Sequence, residues 1–549
     1  MNEKEIKESF FTWAHKLKDK EVSGKKLYDY FEYNGINLWW FCIIGVCQEM
    51  NQYQRKVPLP KKELNLRMNI FPKIELLIDF LNGFIGMIVY SSYKKKKDPV
   101  TFVTMDRYWK DVYNPETKNY EKVDDFFDSL IKENQKFGKS TLSIGELQIL
   151  QTRSLESFLN LFNRRVKRPD SPYASIESFW NLNVLIKQFR ARRHFRKIWR
   201  KIKGSSDLHK ILYEKGDILG ERLMNFFDYY FQVVLPRKMK LLEMSRNFLN
   251  KVHPEAILLQ NERGGWEQIL IYAAREKGIK TIALQHGVVY KLHEGYFQLG
   301  ENKENKTFPD VFCVFGPEVK NILVKELKYN KKMIEVVGQP RYDKIKNYLM
   351  PDLREKFIEK YGIDKDKKIF LIATQPLIDI LRDKYFNGTM DVLKKFKQIQ
   401  IIIKPHPAEK DISFYKHRIK ENKINAVILD KKLDTFEALT SCDYFITLSS
   451  TVALEAMMFK KPVFIFNFPN SLGTLPWTKE NAAIEFNNKK QATEFIQKIL
   501  KDNNILKPLL DNGARFLRKY YYNLDGKATE RIYKIINKLT NDEGGRKKD

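Results

Sequence analysis

Cysteine and histidine are both scarce in this chain, with 4 and 8 in 549 residues. Cys42, Cys47, Cys313 and Cys442 are scattered, and no pair stands at zinc-ligand or redox spacing. That excludes a disulfide scaffold and points to a reducing compartment without a structural metal. No GxxxxGK[ST], GxGxxG or HExxH occurs, so kinase, dehydrogenase and metallohydrolase chemistry all lose ground. Met1-Asn-Glu-Lys-Glu opens polar, so no secretory leader is expected. The most apolar run, 75–90, is interrupted by Asp79 and falls short of the ~20 residues a spanning helix needs. Followed by Lys94-Lys-Lys-Lys97, it reads as a helix lying on a membrane surface or buried in a cytosolic protein.

What is present is apolar enough to fold: 43% hydrophobic and 13% aromatic residues. The length exceeds what one core can serve and implies two or three domains. The formal net charge of +30 favours phosphorylated substrates, anionic lipid or nucleic acid, unless the lysines are simply spread over solvated faces.

Residues 1–98 read as a helical, aromatic-rich region. Residues 99–342 read as a first α/β domain whose basic helical insertion covers about 153–250. From Arg153 to Lys203 there are fourteen Lys/Arg and three acidic residues. Within it Phe195, Ile198, Trp199 and Ile202 fall on one helical face, a stripe suited either to a membrane surface or to packing against the domain. From 254 onward short apolar strands alternate with helices: 256–260, 280–284, 310–315 and 334–338. After a charged linker over 343–367 the alternation restarts in a second domain, 368–510, with strands at 368–373, 400–403, 426–429, 443–447 and 462–466. A helix and polar tail, 511–549, follow, and the helix is expected to pack back on the first domain. Such alternation predicts parallel sheets covered on both faces, hence two Rossmann-like domains facing a cleft.

Ligands of open α/β sheets bind beyond the carboxyl ends of the strands, so the polar residues there carry the functional reading. Lys404-Pro-His406-Pro407 follows one strand and supplies two donors for anionic oxygen on a stiff turn. Ser449-Ser450-Thr451 stands between a strand and a helix, where hydroxyls cap the helix and aim its N–H groups at a phosphate. Glu455, one turn on, suits ribose hydroxyls or simply the helix N-terminus. Gln285-His286-Gly287 follows a strand of the first domain. His286 there suits a general base or a phosphate donor, with Gly287 permitting close backbone approach. Glu262, beside Gly264-Gly265, competes for the base role, and His293 is a weaker third.

These segments, with Val337-Gly-Gln-Pro-Arg341 and Asp343, resemble the GT-B glycosyltransferases of surface-polysaccharide assembly. The pattern is similar to capsule polysaccharide biosynthesis enzymes and CDP-glycerol glycerophosphotransferases over about 254–500. The resemblance implies a two-Rossmann fold and an inverting, metal-independent transfer without a cofactor. It implies donor phosphate held by His406 and Ser449/Ser450, within a site that also includes Lys404, Thr451 and Glu455, and an acceptor deprotonated by His286 or Glu262. The leading expectation is a cytoplasmic enzyme that moves a sugar from a CMP-, CDP- or UDP-linked donor to a surface glycan or lipid-linked acceptor. Peripheral contact with anionic membrane, on the inner face, belongs to the same reading. Transfer of a polyol phosphate from a CDP-alcohol and UDP-sugar epimerisation use the same grip and stay open. Nucleic-acid binding by the Arg-rich segment with Trp180 and Trp199 is the non-enzymatic rival, and no nucleic-acid partner is expected.

Overall fold

The computed structural model describes residues 3–54, 84, 98–104, 109–114, 119–124, 126–146, 172–287, 289–298, 306–377, 379–407, 409, 411–431, 433–470 and 475–541. The apolar run 75–90, Lys94–Lys97 and the start of the basic segment at 153–171 lie outside the described residues, apart from Phe84. Two compact units make up the chain. The first comprises Met1–Lys110, Lys122–Val337 and Thr529–Asp549, the second Asp111–Glu121 and Gly338–Ala528. The segment 343–367 lies within the second unit, as a 3-10 turn (Pro340–Tyr348) and a helix (Pro351–Lys360).

In the first unit, seven parallel strands form one sheet: β1 (Val100–Val103), β2 (Thr141–Gly145), β3 (Tyr173–Ser175), β4 (Ala256–Leu259), β5 (Lys280–Leu284), β6 (Val311–Val314) and β7 (Ile334–Val336), in the order β7-β6-β5-β4-β1-β2-β3. In the second, β8 (Lys368–Ala373), β9 (Ile399–Lys404), β10 (Ala426–Ile428), β11 (Tyr444–Thr447), β12 (Val463–Phe466) and β13 (Ile484–Phe486) pair in parallel in the order β10-β9-β8-β11-β12-β13. Each is an α/β unit with a parallel sheet, as the alternation of strands and helices predicts. β2, β3 and β13 escape the sequence reading because buried Thr141 and Ser143 break the apolar run of β2, and β3 and β13 have three residues each.

Alternation along each strand sends side chains to two separate cores. In the first sheet, Ile257 and Leu259 join Leu241, Phe248 and Leu270 on one face. Leu258 joins Val100, Phe102, Leu130, Ile532 and Ile536 on the other. The helices that fill these faces include α1 (Glu3–Lys16), α2 (Ile43–Gln54), α3 (Leu182–Ile202), α4 (Leu235–Val252), α5 (Glu267–Glu276) and, in the last segment of the chain, α7 (Ala528–Asn541). The short α6 (Val452–Met458) belongs to the second unit. α7 is fixed to the first sheet by Arg531 Nε donating to the Val337 carbonyl at 2.7 Å and by Tyr533 stacked on Phe137. At the end of α5, Gly278 takes φ +66°, a left-handed closure that side chains resist.

The basic helix α3 starts at Asn181, whose side chain accepts from Val184 N at 3.0 Å. Its predicted apolar stripe faces inward: Phe195, Trp199 and Ile202 are buried and Ile198 packs beside them. Trp199 stacks on Phe231 at 5.2 Å and donates its indole N–H to Asp228. That ring therefore offers no face to a membrane or a nucleobase, which removes an aromatic from the nucleic-acid reading. Among the described residues no helix is long and apolar enough to cross a membrane. Trp199→Ala should cost about 3–5 kcal/mol, the usual loss for a truncated core aromatic. Chemical denaturation of the variant checks this; a cost below about 1 kcal/mol would place the ring at the surface.

Candidate functional site

In the second unit the strand order reverses direction between β8 and β11, the place where an open α/β sheet leaves a crevice. Ala373 of β8 is level with Lys404 of β9, and Ile372 with Ile446 of β11. Two residues further on, Gln375, His406 and Ser449 therefore leave three adjacent strands at one height. Gln375 clamps the third strand end to the first. Its Oε1 accepts from Ser449 N at 2.7 Å and from the Thr447 hydroxyl at 3.3 Å, and its Nε2 donates to Ser449 Oγ at 2.9 Å.

Glu409 organises the Lys404–Pro407 turn from within. This carboxylate is buried and accepts from His406 N at 2.7 Å and from the hydroxyls of Thr374 and Tyr415. Thr374 Oγ1 accepts from the same His406 N at 3.1 Å. With its backbone held this way, the His406 side chain remains partly accessible. Lys404 is placed differently from the expectation. It is buried, and its ammonium donates to the carbonyls of Pro405 at 3.0 Å and Lys431 at 2.9 Å. A lysine on the last residue of a buried strand binds nearby carbonyls because an unpaired buried ammonium would be costly. It braces the turn.

Ser450 Oγ accepts from Val452 N at 3.3 Å at the start of α6, while Thr451 is exposed and makes no side-chain cap bond. Glu455 is likewise placed differently from a ribose acceptor: it is buried, and its carboxylate pairs with Arg341 at 3.0 Å. Arg341 also lies over the Phe436 ring at 5.4 Å. This pair ties the Gly338–Arg341 segment to α6 inside the second unit. Thus His406, Ser449, Ser450 and Thr451 are accessible at the strand ends, and Lys404 and Glu455 sit behind them.

In the first unit the order reverses between β1 and β4. Leu259 of β4 is level with Ala283 of β5, so Glu262 and His286, each three residues on, emerge side by side. Glu262 Oε2 stands 3.9 Å from His286 Nδ1, too long for a hydrogen bond but close enough for charge to be felt. The two differ in access: the side chain of Glu262 is 2% exposed, that of His286 22%. Burial, only partly opposed by Tyr296 and Arg263, pushes the Glu262 carboxyl up to about 7. Gln285 stiffens the loop, donating to the Gly287 carbonyl at 2.7 Å and accepting from Phe315 N at 2.8 Å. A Cβ on Gly287 would meet only open space, so the fold itself does not demand glycine there. His293 is occupied within its own turn, where its Nδ1 accepts from Gly295 N at 3.0 Å.

The N-terminal helices close over this loop. Phe11 and His15 pack on Phe297, Glu8 pairs with Lys291 at 2.5 Å, and Asn51 donates to Glu294 at 3.1 Å. Gln375 and Glu409 are the site residues that the sequence reading missed. Gln375 was within reach of the strand-end rule, since it follows β8 directly. Glu409 carries no local signal, because its role depends on burial against Tyr415. Among the described residues no group of three or more His, Cys, Asp and Glu could hold a metal ion.

The raised Glu262 pKa has a stability consequence. An unfolded glutamate ionises near 4.5, the folded one near 7, so rising pH destabilises the fold across that window and no further above it. Glu262→Gln should therefore melt close to wild type at pH 4 and above it at pH 8, by the equivalent of about 3 kcal/mol. A melting difference that stays constant from pH 4 to 8 would contradict the shift.

Residues 266–538 match the sequence profile of the family described as CDP-glycerol:poly(glycerophosphate) glycerophosphotransferase. That is a family of transferases, and the match supports an enzyme acting on a nucleotide-linked donor. No curated protein sequence matches the chain. Among solved structures, it is similar in fold to a UDP-N-acetylglucosamine 2-epimerase at 14% identity, covering 83% of this chain and 98% of that one, with TM-score 0.46. The UDP-GlcNAc 2-epimerase of Neisseria meningitidis, bound to UDP-GlcNAc, shares 12% identity over 81% of this chain and 100% of that one, TM-score 0.49. The wall teichoic acid polymerase TagF shares 10% identity over 89% and 99%, TM-score 0.45.

Proposed function

We propose, from the premise that residues 266–538 match the CDP-glycerol:poly(glycerophosphate) glycerophosphotransferase family, that this chain transfers a polyol phosphate from a CDP-activated alcohol to an acceptor hydroxyl. The acceptor is a surface glycan or lipid-linked molecule. The acceptor oxygen forms a bond to the donor's β-phosphorus, the pyrophosphate bridge breaks, and CMP leaves with the bridging oxygen. The observation that supports this reading most is that His406 and Ser449 stand level at the reversal of the second sheet, with Ser450 next to them. Their donors suit a pyrophosphate whose charge grows as CMP departs. Lys404, Glu409, Gln375 and the Arg341–Glu455 pair keep that set in place.

His286 is the general base, and Glu262 is a positioning residue behind it. The accessible imidazole meets the hydroxyl, whereas the buried carboxylate 3.9 Å away stabilises the imidazolium as the proton arrives. Sugar transfer would use the same phosphate grip but break a carbon–oxygen bond, and an epimerase would need no acceptor.

His286→Ala should lower turnover with CDP-glycerol and acceptor by about 10²–10⁴-fold while leaving donor affinity unchanged. His406→Ala should instead weaken donor binding by roughly tenfold or more, as the loss of a hydrogen bond to a charged group implies. Phosphorus NMR of the product should show a new phosphodiester. A sugar linkage without phosphorus, or conversion of free nucleotide sugar without acceptor, would overturn the reading.

A further inference from the structure

Tyr296 stands in the first unit where the packing asks only for a phenylalanine. Its buried ring stacks on Phe312 at 6.0 Å and meets His293 at 5.0 Å. Its backbone is pinned as well. The N–H donates to the His293 carbonyl at 3.0 Å, and the carbonyl accepts from the Tyr329 hydroxyl at 3.2 Å. A hydroxyl added to such a ring costs free energy unless something polar receives it. What it faces is Glu262, near enough that each group bears on the other's ionisation. Among the described residues, the Tyr296 hydroxyl and both Glu262 oxygens are buried without a well-formed hydrogen bond to any other group. His286 approaches the same carboxylate at 3.9 Å. Glu262 thus has an enclosed hydroxyl and an accessible imidazole as its polar neighbours.

We propose that Tyr296 is a positioning residue of the first-unit site: its O–H donates to the Glu262 carboxylate when that group is charged, and so lets it support the His286 imidazolium. The use in catalysis rests on the transfer reading above, whereas the pairing rests on the packing. A hydroxyl proton turns to suit its acceptor, so the donor is at hand as soon as the carboxylate ionises. Burial holds the Tyr296 hydroxyl well above the ordinary tyrosine range, so it keeps its own proton and acts only as a donor. The other polar groups around the carboxylate are otherwise occupied. Arg263 bears a positive charge, but its Nε donates to the Gly295 carbonyl at 2.5 Å and its guanidinium lies over Phe308 at 5.0 Å. Burial lowers His15 of α1 to about 4 and holds His293 below the usual histidine value, which leaves both uncharged at neutral pH. Tyr329 is engaged with the Tyr296 carbonyl.

The test is a melting cycle from pH 4 to 8 on wild type, Tyr296→Phe, Glu262→Gln and the double variant. At pH 4 Glu262 is uncharged, and Tyr296→Phe should melt at or above wild type, since only a costly hydroxyl is lost. Without its donor the Glu262 carboxyl titrates still higher, so stability falls further as pH rises, and at pH 8 the variant should melt below wild type. In the Glu262→Gln background the effect of Tyr296→Phe should be the same at both ends of the range. With CDP-glycerol and acceptor, Tyr296→Phe should move the acid limb of the kcat/KM profile upward by about one pH unit, with donor affinity unchanged. A melting difference that stays constant from pH 4 to 8, or one whose pH dependence survives in Glu262→Gln, makes Tyr296 a packing residue and overturns the proposal. So does an acid limb that stays in place. Wild type without transfer activity would overturn the transfer reading instead, and the melting cycle, which needs no substrate, would still decide the pairing.

Discussion

Everything proposed for the second unit depends on one clamp, the Gln375 side chain that joins the ends of β8 and β11. These strands are neighbours in the sheet but far apart in sequence, and they are where the winding reverses. A crevice there is unavoidable, because the connections leave in opposite directions. Gln375 spans it with an amide that accepts the Ser449 N–H and donates to the Ser449 hydroxyl. Without that clamp the Ser449 N–H and hydroxyl would lose their tie to the end of β8. On the other side of β8, Glu409 does the corresponding work for His406. The accessible groups are thus carried by a second layer that is buried and polar, the arrangement by which a site keeps donors in place before a ligand arrives.

The first unit solves a different problem with the same geometry. Level strand ends bring Glu262 and His286 together, but one is enclosed and the other open. Taking a carboxylate out of water raises its pKa, and here the neighbours Tyr296 and Arg263 only partly restore the charge. A group held near neutrality beside an imidazole can share or yield charge as the imidazole changes state. Packing of α1 and α2 over the loop that follows gives the aromatic-rich N-terminal region a structural purpose: it roofs the segment from Val289 to Gln298.

Both sheets, most of their strands and the strand-end residues were legible in the sequence, because buried parallel strands are continuous apolar runs. β2 was hidden by Thr141 and Ser143, whose hydroxyls are buried where the pattern leads one to expect aliphatic residues. For the sites, residue type and position beyond a strand pointed to Lys404, His406, Ser449, His286 and Glu262, but could not tell an accessible group from an enclosed one. Lys404 and Glu455 are both expected in the donor site, and the structure buries both, with Lys404 on nearby carbonyls and Glu455 paired with Arg341. The helix α3 has the same ambiguity. Both of its faces carry apolar residues, and only packing distinguishes the stripe that enters the core from the stripe left in solvent.

The most direct measurement is calorimetric titration of CDP-glycerol into wild type and Gln375→Ala. Gln375 holds Ser449 in place through both halves of its amide. Loss of the clamp is predicted to weaken donor binding about tenfold, the equivalent of one or two hydrogen bonds, with the fold intact by circular dichroism. Unchanged affinity in a folded variant would contradict the claim that the levelled strand ends form the phosphate grip.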